Sequence, residues 1–195
     1  MRPFLPVLAA LVASLQGCAS GSTTTPDLSR WLAETPEAMP TRLWLAGDRI
    51  VRAAASLGPG AIPQAARTTI DSIAPSGTLL FQGREWGPGI DGFRVEKHYS
   101  DTNPEHSRSV LVTPEGRVLE RAHTVPVTEV PRDVLATALR AAPQLEQAWI
   151  VSDDSQQRFW LCELRSRIGH QLVLEIALDG RLLGVRRRIT ARVDV

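Results

Sequence analysis

Hydrophobic residues along positions 61–191 follow two spacings that alternate. Two stretches, beginning at Pro63 and Pro131, have apolar residues three or four positions apart, which is the spacing of an amphipathic helix. Each stretch meets a second proline 12 residues later, at Pro75 and Pro143, and proline cannot continue a helix. The pattern therefore predicts two helices of similar length.

Short segments rich in β-branched and aromatic residues follow each predicted helix. The predicted strands lie at about 78–84, 91–99, 107–113 and 117–124 in the first unit, and at about 146–152, 157–166, 169–178 and 181–191 in the second. Asp179-Gly180 is a strong hairpin signal between the last two segments. We therefore expect an α+β fold of two tandem units, each with one helix followed by an antiparallel sheet of about four strands, and with the helices on one face.

A family resemblance rests on three elements of the second unit. They are Val127–Pro131, the helix ending at Pro143, and Asp179–Leu183. Together they resemble PepSY-like domains and their duplicated relatives with the β-lactamase-inhibitor-protein-like fold. The first unit matches less well, because Ala61–Pro63 and Glu115-Gly116 replace the corresponding residues. The resemblance covers residues 61–191 and implies a secreted, non-catalytic module that binds, inhibits or scaffolds other proteins.

The N-terminal residues carry a secretion pattern. After Met1-Arg2, residues 3–15 are almost wholly apolar, which is too short to span a bilayer but suits a secretory signal. Leu15–Cys18 follows and resembles the bacterial lipobox, in which the cysteine is lipidated and becomes the first residue of the mature protein. The resemblance implies a lipid anchor at Cys18, and Ala19 after it favours sorting to the outer membrane.

These patterns set the expected domain boundaries. We expect a lipoprotein signal peptide at 1–17, a flexible tether at 18–26, an N-terminal segment of uncertain structure at 27–60, and PepSY-like units 1 and 2 at 61–125 and 126–195. Asp27–Glu34 suits a short helix. Leu43–Val51 suits either a hairpin around Gly47-Asp48 or a helix running to Leu57.

Composition excludes several classes of protein. With 22 basic and 21 acidic residues among 195, the net charge is +1, so that no whole-molecule basic field attracts nucleic acid. The two cysteines, Cys18 and Cys162, cannot build a disulfide framework or a four-cysteine zinc site. A lone cysteine in an apolar strand, such as Cys162, is typically a small buried side chain.

The sequence predicts no catalytic residue, metal site or cofactor. Gly87–Gly92 spells G-x-G-x-x-G, but the residues after it alternate like a strand, whereas a dinucleotide site needs a helix there. The four histidines lack metal-ligand spacing, and Asp153-Asp154 lies in a polar turn without a neighbouring base or nucleophile. An envelope hydrolase or lipid-handling enzyme would need a polar, convergent pocket that no motif indicates.

A single layer of helices leaves the other face of each predicted sheet open to a partner. Aromatic and arginine side chains are common interface anchors. The candidate partner-binding residues are Trp86, Tyr99, Phe159, Trp160, Arg186 and Arg188. The arginine run at 186–188 suits either a solvated edge strand or a patch for an acidic protein or a phosphate-bearing lipid.

The sequence therefore predicts a lipoprotein of the bacterial cell envelope, on the periplasmic face of the outer membrane, that is a non-catalytic protein-binding module, either an inhibitor or a scaffold. Its expected partners are the membrane, through Cys18, and an envelope protein, not nucleic acid. Two alternatives stay open. One is a periplasmic carrier of a lipid or small ligand, which needs an enclosed apolar cavity, and the other is an accessory lipoprotein in outer-membrane assembly. The oligomeric state is not predicted.

Overall fold

A computed structural model of the chain describes residues 28–34, 40–58, 60–102 and 104–192. The expected signal peptide at 1–17, the tether at 18–26 and the lipidation site Cys18 lie outside these residues. No helix among the described residues is long and apolar enough to cross a membrane.

The described residues form ten strands, three α-helices and one short 3-10 helix. The strands are β1 (Pro40–Ala46), β2 (Arg49–Ser56), β3 (Thr78–Gly87), β4 (Ile90–Tyr99), β5 (His106–Val112), β6 (Val118–Val125), β7 (Gln144–Asp153), β8 (Arg158–Arg165), β9 (Gln171–Ala177) and β10 (Leu182–Arg192). The helices are α1 (Leu28–Ala33), α2 (Gln64–Ile73) and α3 (Arg132–Ala141), and the 3-10 helix covers Val127–Glu129. Strands β3 to β10 coincide within a few residues with the predicted strands, and β1 and β2 form the hairpin rather than the longer helix.

The ten strands form one closed antiparallel barrel, in which every strand pairs with two neighbours. The order around the barrel is β1, β10, β9, β8, β7, β6, β5, β4, β3 and β2, which returns to β1. β6 pairs with β7, where Val125 lies opposite Ala148, and β10 pairs with β1, where Ile189 lies opposite Leu43. The predicted α+β fold with two helix–sheet units and open sheet faces is therefore wrong. The β1–β2 hairpin fills the gap between the two four-stranded groups, so that no free sheet edge is left among the described strands.

The three helices pack on the outer face of the barrel. α2 buries Ala66 and Ile70 against β4 and β5, and α3 buries Val134 and Ala138 against β7, β8 and β9. α1 buries Trp31 against β1, β2 and β3. Each helix therefore covers an apolar stripe of outward-facing strand residues.

The N-terminal ends of α2 and α3 make the same kind of contact. Gly116, in the turn before β6, and Gly180, in the turn before β10, both have left-handed φ angles, of +89° and +86°. A Cβ atom on Gly116 would lie 2.8 Å from the carbonyl oxygen of Ala65, and one on Gly180 would lie 2.8 Å from Asp133. The first turn of each helix therefore contacts a glycine. In both cases this glycine lies in the turn just before the fourth strand that follows the helix.

Candidate functional site

The inside of the barrel is lined by charged side chains. Alternation along each strand sends one set of side chains inward and the other outward. The inward-facing charges are Arg42, Arg52, Arg94, Arg186 and Arg188, with Glu85, Glu96, Glu120, Glu163 and Glu175. Burying such charges is costly unless they are paired, and every one of them is in an ion pair.

Glu85 and Glu120 form the centre of this interior network. Each accepts hydrogen bonds from both Arg52 and Arg94, and Arg94 also donates to Ser109 Oγ at 2.6 Å. Burial alone would raise the pKa of Glu120, but the charges of the two arginines and their hydrogen bonds outweigh it and lower the pKa to about 2. The four charged side chains tie β2, β3, β4 and β6 together across the interior.

Little space is left inside the barrel. The interior cavity measures about 60 Å³, whereas sites for small-molecule ligands measure roughly 300–1,000 Å³. Trp44 and Trp149 line this cavity together with the ion pairs, so its lining is not purely apolar. This cavity is therefore far smaller and more polar than the enclosed apolar cavity that a carrier of lipids would need.

A larger groove, which we call the outer groove, lies on the outer face of the barrel over β5, β6 and β7. Its volume is about 760 Å³. Ile73, at the end of α2, borders it on one side, and Pro126 and Glu129 border it where the chain leads into α3. The outward residues of the three strands that line it are Arg108, Val110, Arg121, His123, Ile150 and Ser152. The groove exists because α2 covers β5 and α3 covers β7, while β6 lies between them.

Strand register sets two rows of side chains across the outer groove. The first row is Arg121 and Ser152, on β6 and β7, and it continues beside the groove to Arg158 on β8. The second row is Arg108, His123 and Ile150, on β5, β6 and β7. Neighbouring strands lie roughly 4.8 Å apart. Arg121 and Arg158 therefore have Cα atoms roughly 10 Å apart, with one strand between them.

The outer groove is positively charged. Arg121 and Arg158 have no ion pair and no side-chain hydrogen bond within the described ranges. Arg108 donates a hydrogen bond to the carbonyl oxygen of Ile73 at 3.3 Å rather than to a carboxylate. Among the described residues that line the groove, Glu129 is the one carboxylate, so the cations of the groove are largely uncompensated.

His123 lies between these cations. Burial lowers the pKa of His123, and the positive charges of Arg158 and Arg108 lower it further. The imidazole is therefore neutral at pH 7, and the charge of the outer groove at that pH comes from its arginines.

The residues proposed from the sequence to bind a partner do not share an exposed face. Trp86 and Trp160 point outward but are buried beneath α1 and α3. Phe159, Arg186 and Arg188 point into the barrel, where glutamates hold both arginines at 2.7–2.8 Å. For Phe159 and the two arginines the physical reason is closure of the sheet, which turns the expected open face into the barrel interior.

Tyr99, the sixth of these residues, lies at one end of the outer groove. Its ring stacks on that of His106 with 5.0 Å between centroids, and the guanidinium of Arg108 lies 5.0 Å from its centroid. Tyr99 is itself buried. It therefore orients two side chains that line the groove instead of offering a surface of its own.

Sequence patterns do not single out the arginines of the outer groove. The alternation in β6 places Arg121 and His123 on one side of the strand, which is a local hint of a shared surface. Arg158 lies near Arg121 only because the register of β6, β7 and β8 places both residues beside Ser152. No local signal in the sequence sets the pairing of β6 with β7.

The described residues offer neither a metal cluster nor an activated thiol. No group of three or more histidine, cysteine, aspartate or glutamate side chains in them is arranged to hold a metal ion. Cys162 is fully buried in β8, and burial raises the pKa of its thiol to about 11. A thiol with that pKa is not ionised at neutral pH.

No protein-family model matches the chain, and no curated protein is significantly similar to it in sequence. Among solved structures, a protein from Bacteroides eggerthii provisionally described as periplasmic has a TM-score of 0.48 and 12% sequence identity, over 66% of this chain and 90% of its own. A DUF2874 family protein from Bacteroides ovatus has a TM-score of 0.47 and 12% identity, over 64% of this chain and 86% of its own. Neither likeness is close enough to assign a function, which is therefore argued from the residues of this chain.

Proposed function

We propose that this chain is a lipoprotein of the bacterial cell envelope, anchored through Cys18, and that it acts as a non-catalytic protein-binding module. In this proposal the outer groove binds an acidic segment of an envelope protein. The observation that carries the proposal is the pair Arg121 and Arg158, which flank Ser152 across three strands and have no carboxylate partner among the described residues.

Two unpaired arginines at a fixed spacing suit a partner that carries carboxylates. Guanidinium groups form charge-assisted hydrogen bonds with carboxylates, which are stronger than neutral ones. The paired strands already hold the two arginine backbones in place, so that little backbone conformational entropy is lost on binding. Ile73 and Ile150 add apolar surface beside them. The groove therefore suits a short segment that carries both acidic and apolar side chains.

The closed barrel limits how a partner can bind. A sheet with a free edge can accept a strand of the partner through backbone hydrogen bonds, but every described strand already has two neighbours. Side-chain contacts in the outer groove are therefore the expected mode of binding. An interior cavity of about 60 Å³ is too small to support the alternative of a lipid or small-ligand carrier.

Photo-crosslinking in cells tests the proposed function. A benzoyl-phenylalanine at position 152 of the full-length chain is expected to give one predominant adduct, and mass spectrometry should find the crosslink in a segment rich in aspartate and glutamate. The same amino acid in place of Asp48, at the tip of the β1–β2 hairpin, is the control and should give little of that adduct. No adduct at position 152, or the same adducts at both positions, would contradict the proposal. The identity of the partner decides between an inhibitor, a scaffold and an accessory of outer-membrane assembly.

A further inference from the structure

The outer face of β10 exposes a row of large apolar side chains. The exposed fractions of Leu182, Leu183, Val185 and Ile189 are 45%, 47%, 44% and 37%. Arg187 is also exposed and lies between Val185 and Ile189 on the outward side of the strand. We call these five residues the β10 strip.

The β10 strip lies between two covered regions of the barrel. Outward residues of β9 are buried beneath α3, and outward residues of β1 and β2 are packed beneath α1. Neither helix covers the β10 strip between them. Contiguous apolar surface left exposed on a folded protein commonly marks a site of contact with a protein or a membrane.

The chain that precedes α1 joins the barrel beside this strip. Leu28, the first residue of α1, packs against the same apolar cluster as Ala191, which is two residues beyond Ile189 on β10. Cys18 precedes Leu28 by 10 residues, and such a length spans at most roughly 33–36 Å. A lipid on Cys18 would therefore hold the barrel within that distance of the membrane, with the tether attached near the end of the β10 strip.

We infer that the β10 strip rests on the surface of the membrane that holds the lipid anchor. The leucine, valine and isoleucine side chains enter the boundary between headgroups and acyl chains. Arg187, which has no ion pair among the described residues, donates hydrogen bonds to lipid phosphate. This inference rests on lipidation of Cys18, which belongs to the proposed function.

Such an orientation presents the outer groove to the periplasm. Strand β6 lies four strands from β10 in one direction around the ten-stranded barrel and six in the other, so the two outer faces point to nearly opposite sides. With the β10 strip on the membrane, the outer groove opens away from it. The anchor and the partner-binding surface then do not compete for one side of the molecule.

Fluorescence quenching by brominated lipids tests this orientation. The mature lipidated protein with Val185→Cys, labelled with the fluorophore NBD, is reconstituted in vesicles of phosphatidylethanolamine and phosphatidylglycerol with brominated acyl chains. The label enters the introduced cysteine because Cys162 is buried and Cys18 carries the lipid. Ser152→Cys, in the outer groove, is the matched variant. Quenching at position 185 is expected to exceed that at position 152 by roughly threefold or more.

Three results would overturn the inference. Equal quenching at both positions, with the lipid on Cys18 verified by mass spectrometry, would reject the orientation alone and would not affect binding in the outer groove. A mature protein without lipid on Cys18 would reject both the anchor and the orientation. A blue shift of the label at 185 that appears without vesicles and grows with protein concentration would assign the β10 strip to a second copy of this chain.

Discussion

Glu85 is fully buried and accepts hydrogen bonds from Arg52 and Arg94. Glu120 accepts from the same two arginines, so the four side chains balance one another's charge inside the barrel. A buried guanidinium that loses its counter-charge destabilises the folded state strongly, whereas a surface ion pair contributes little. The free energy of unfolding should therefore depend on the charge of Glu85 itself.

Replacing Glu85 by glutamine keeps the shape of the side chain and removes its charge. We expect Glu85→Gln to lower the free energy of unfolding by about 3–5 kcal/mol, the usual cost of breaking a buried ion pair. The control Glu146→Gln breaks the exposed pair with Arg165 and should cost less than about 1 kcal/mol. Urea unfolding followed by tryptophan fluorescence measures both. Similar losses in the two variants would show that the interior network is no more important than a surface pair.

Glu120 should make the barrel sensitive to acid. Its pKa is about 2 in the folded chain, against an ordinary value of 4.5. A carboxylate with a lowered folded pKa contributes stability above its unfolded pKa, and this contribution is lost as the pH falls through the folded pKa. We expect the urea midpoint to fall between about pH 5 and pH 2, and to fall less in Glu120→Gln, which has no carboxylate there. Parallel pH curves for the two proteins would contradict this.

At the scale of elements, turn glycines fix where α2 and α3 begin on the barrel. Gly116 contacts Ala65, the second residue of α2, and Gly180 contacts Asp133, the second residue of α3. Thr137 of α3 also donates a hydrogen bond to the Gly180 carbonyl oxygen at 2.7 Å. Because glycine has no Cβ, the turn and the helix can approach each other closely.

Gly116→Ala tests this contact. The added methyl group would lie 2.8 Å from the Ala65 carbonyl oxygen, so the helix or the turn must move. Gly47→Ala is a matched control, because Gly47 also has a left-handed φ, of +65°, but has nothing within 4 Å of the Cβ position. We expect a loss of about 1 kcal/mol for Gly47→Ala and a further loss of about 1–3 kcal/mol for Gly116→Ala, measured by urea unfolding. Equal losses would mean that the backbone angle alone sets the cost.

Element positions could be predicted from the sequence because their signals are local. Pro63 and Pro131 immediately precede α2 and α3, where the fixed φ of proline suits the start of a helix. Asp179-Gly180 lies in the turn between β9 and β10. For Gly47-Asp48 the local pattern allowed both a hairpin and a helix, and pairing of β1 with β10 and of β2 with β3 accompanies the hairpin.

At the scale of the whole molecule, closure of the barrel decides which side chains can reach a partner. In an open sheet, Arg186 and Arg188 would face solvent; in the barrel the same side of β10 is the interior, where glutamates hold them. Closure depends on the pairing of β6 with β7 and of β10 with β1. The pairing of β10 with β1 joins the last strand to the first, and no local sequence pattern specifies it. For this reason the strands could be predicted from the sequence, but the barrel and its outer groove could not.

Charge reversal in the outer groove tests whether this groove is where the partner binds. The affinity of the purified lipidated protein for the partner captured at position 152 is measured for the wild type and for the double variant Arg121→Glu, Arg158→Glu. The matched control is Arg49→Glu, Arg167→Glu, which reverses two exposed arginines that lie outside the groove and have no ion pair in the described residues. We predict that the groove variant binds at least roughly tenfold more weakly, while the control binds like the wild type. Wild-type affinity retained in the groove variant, or an equal loss in both, would contradict the assignment of the outer groove as the partner-binding site.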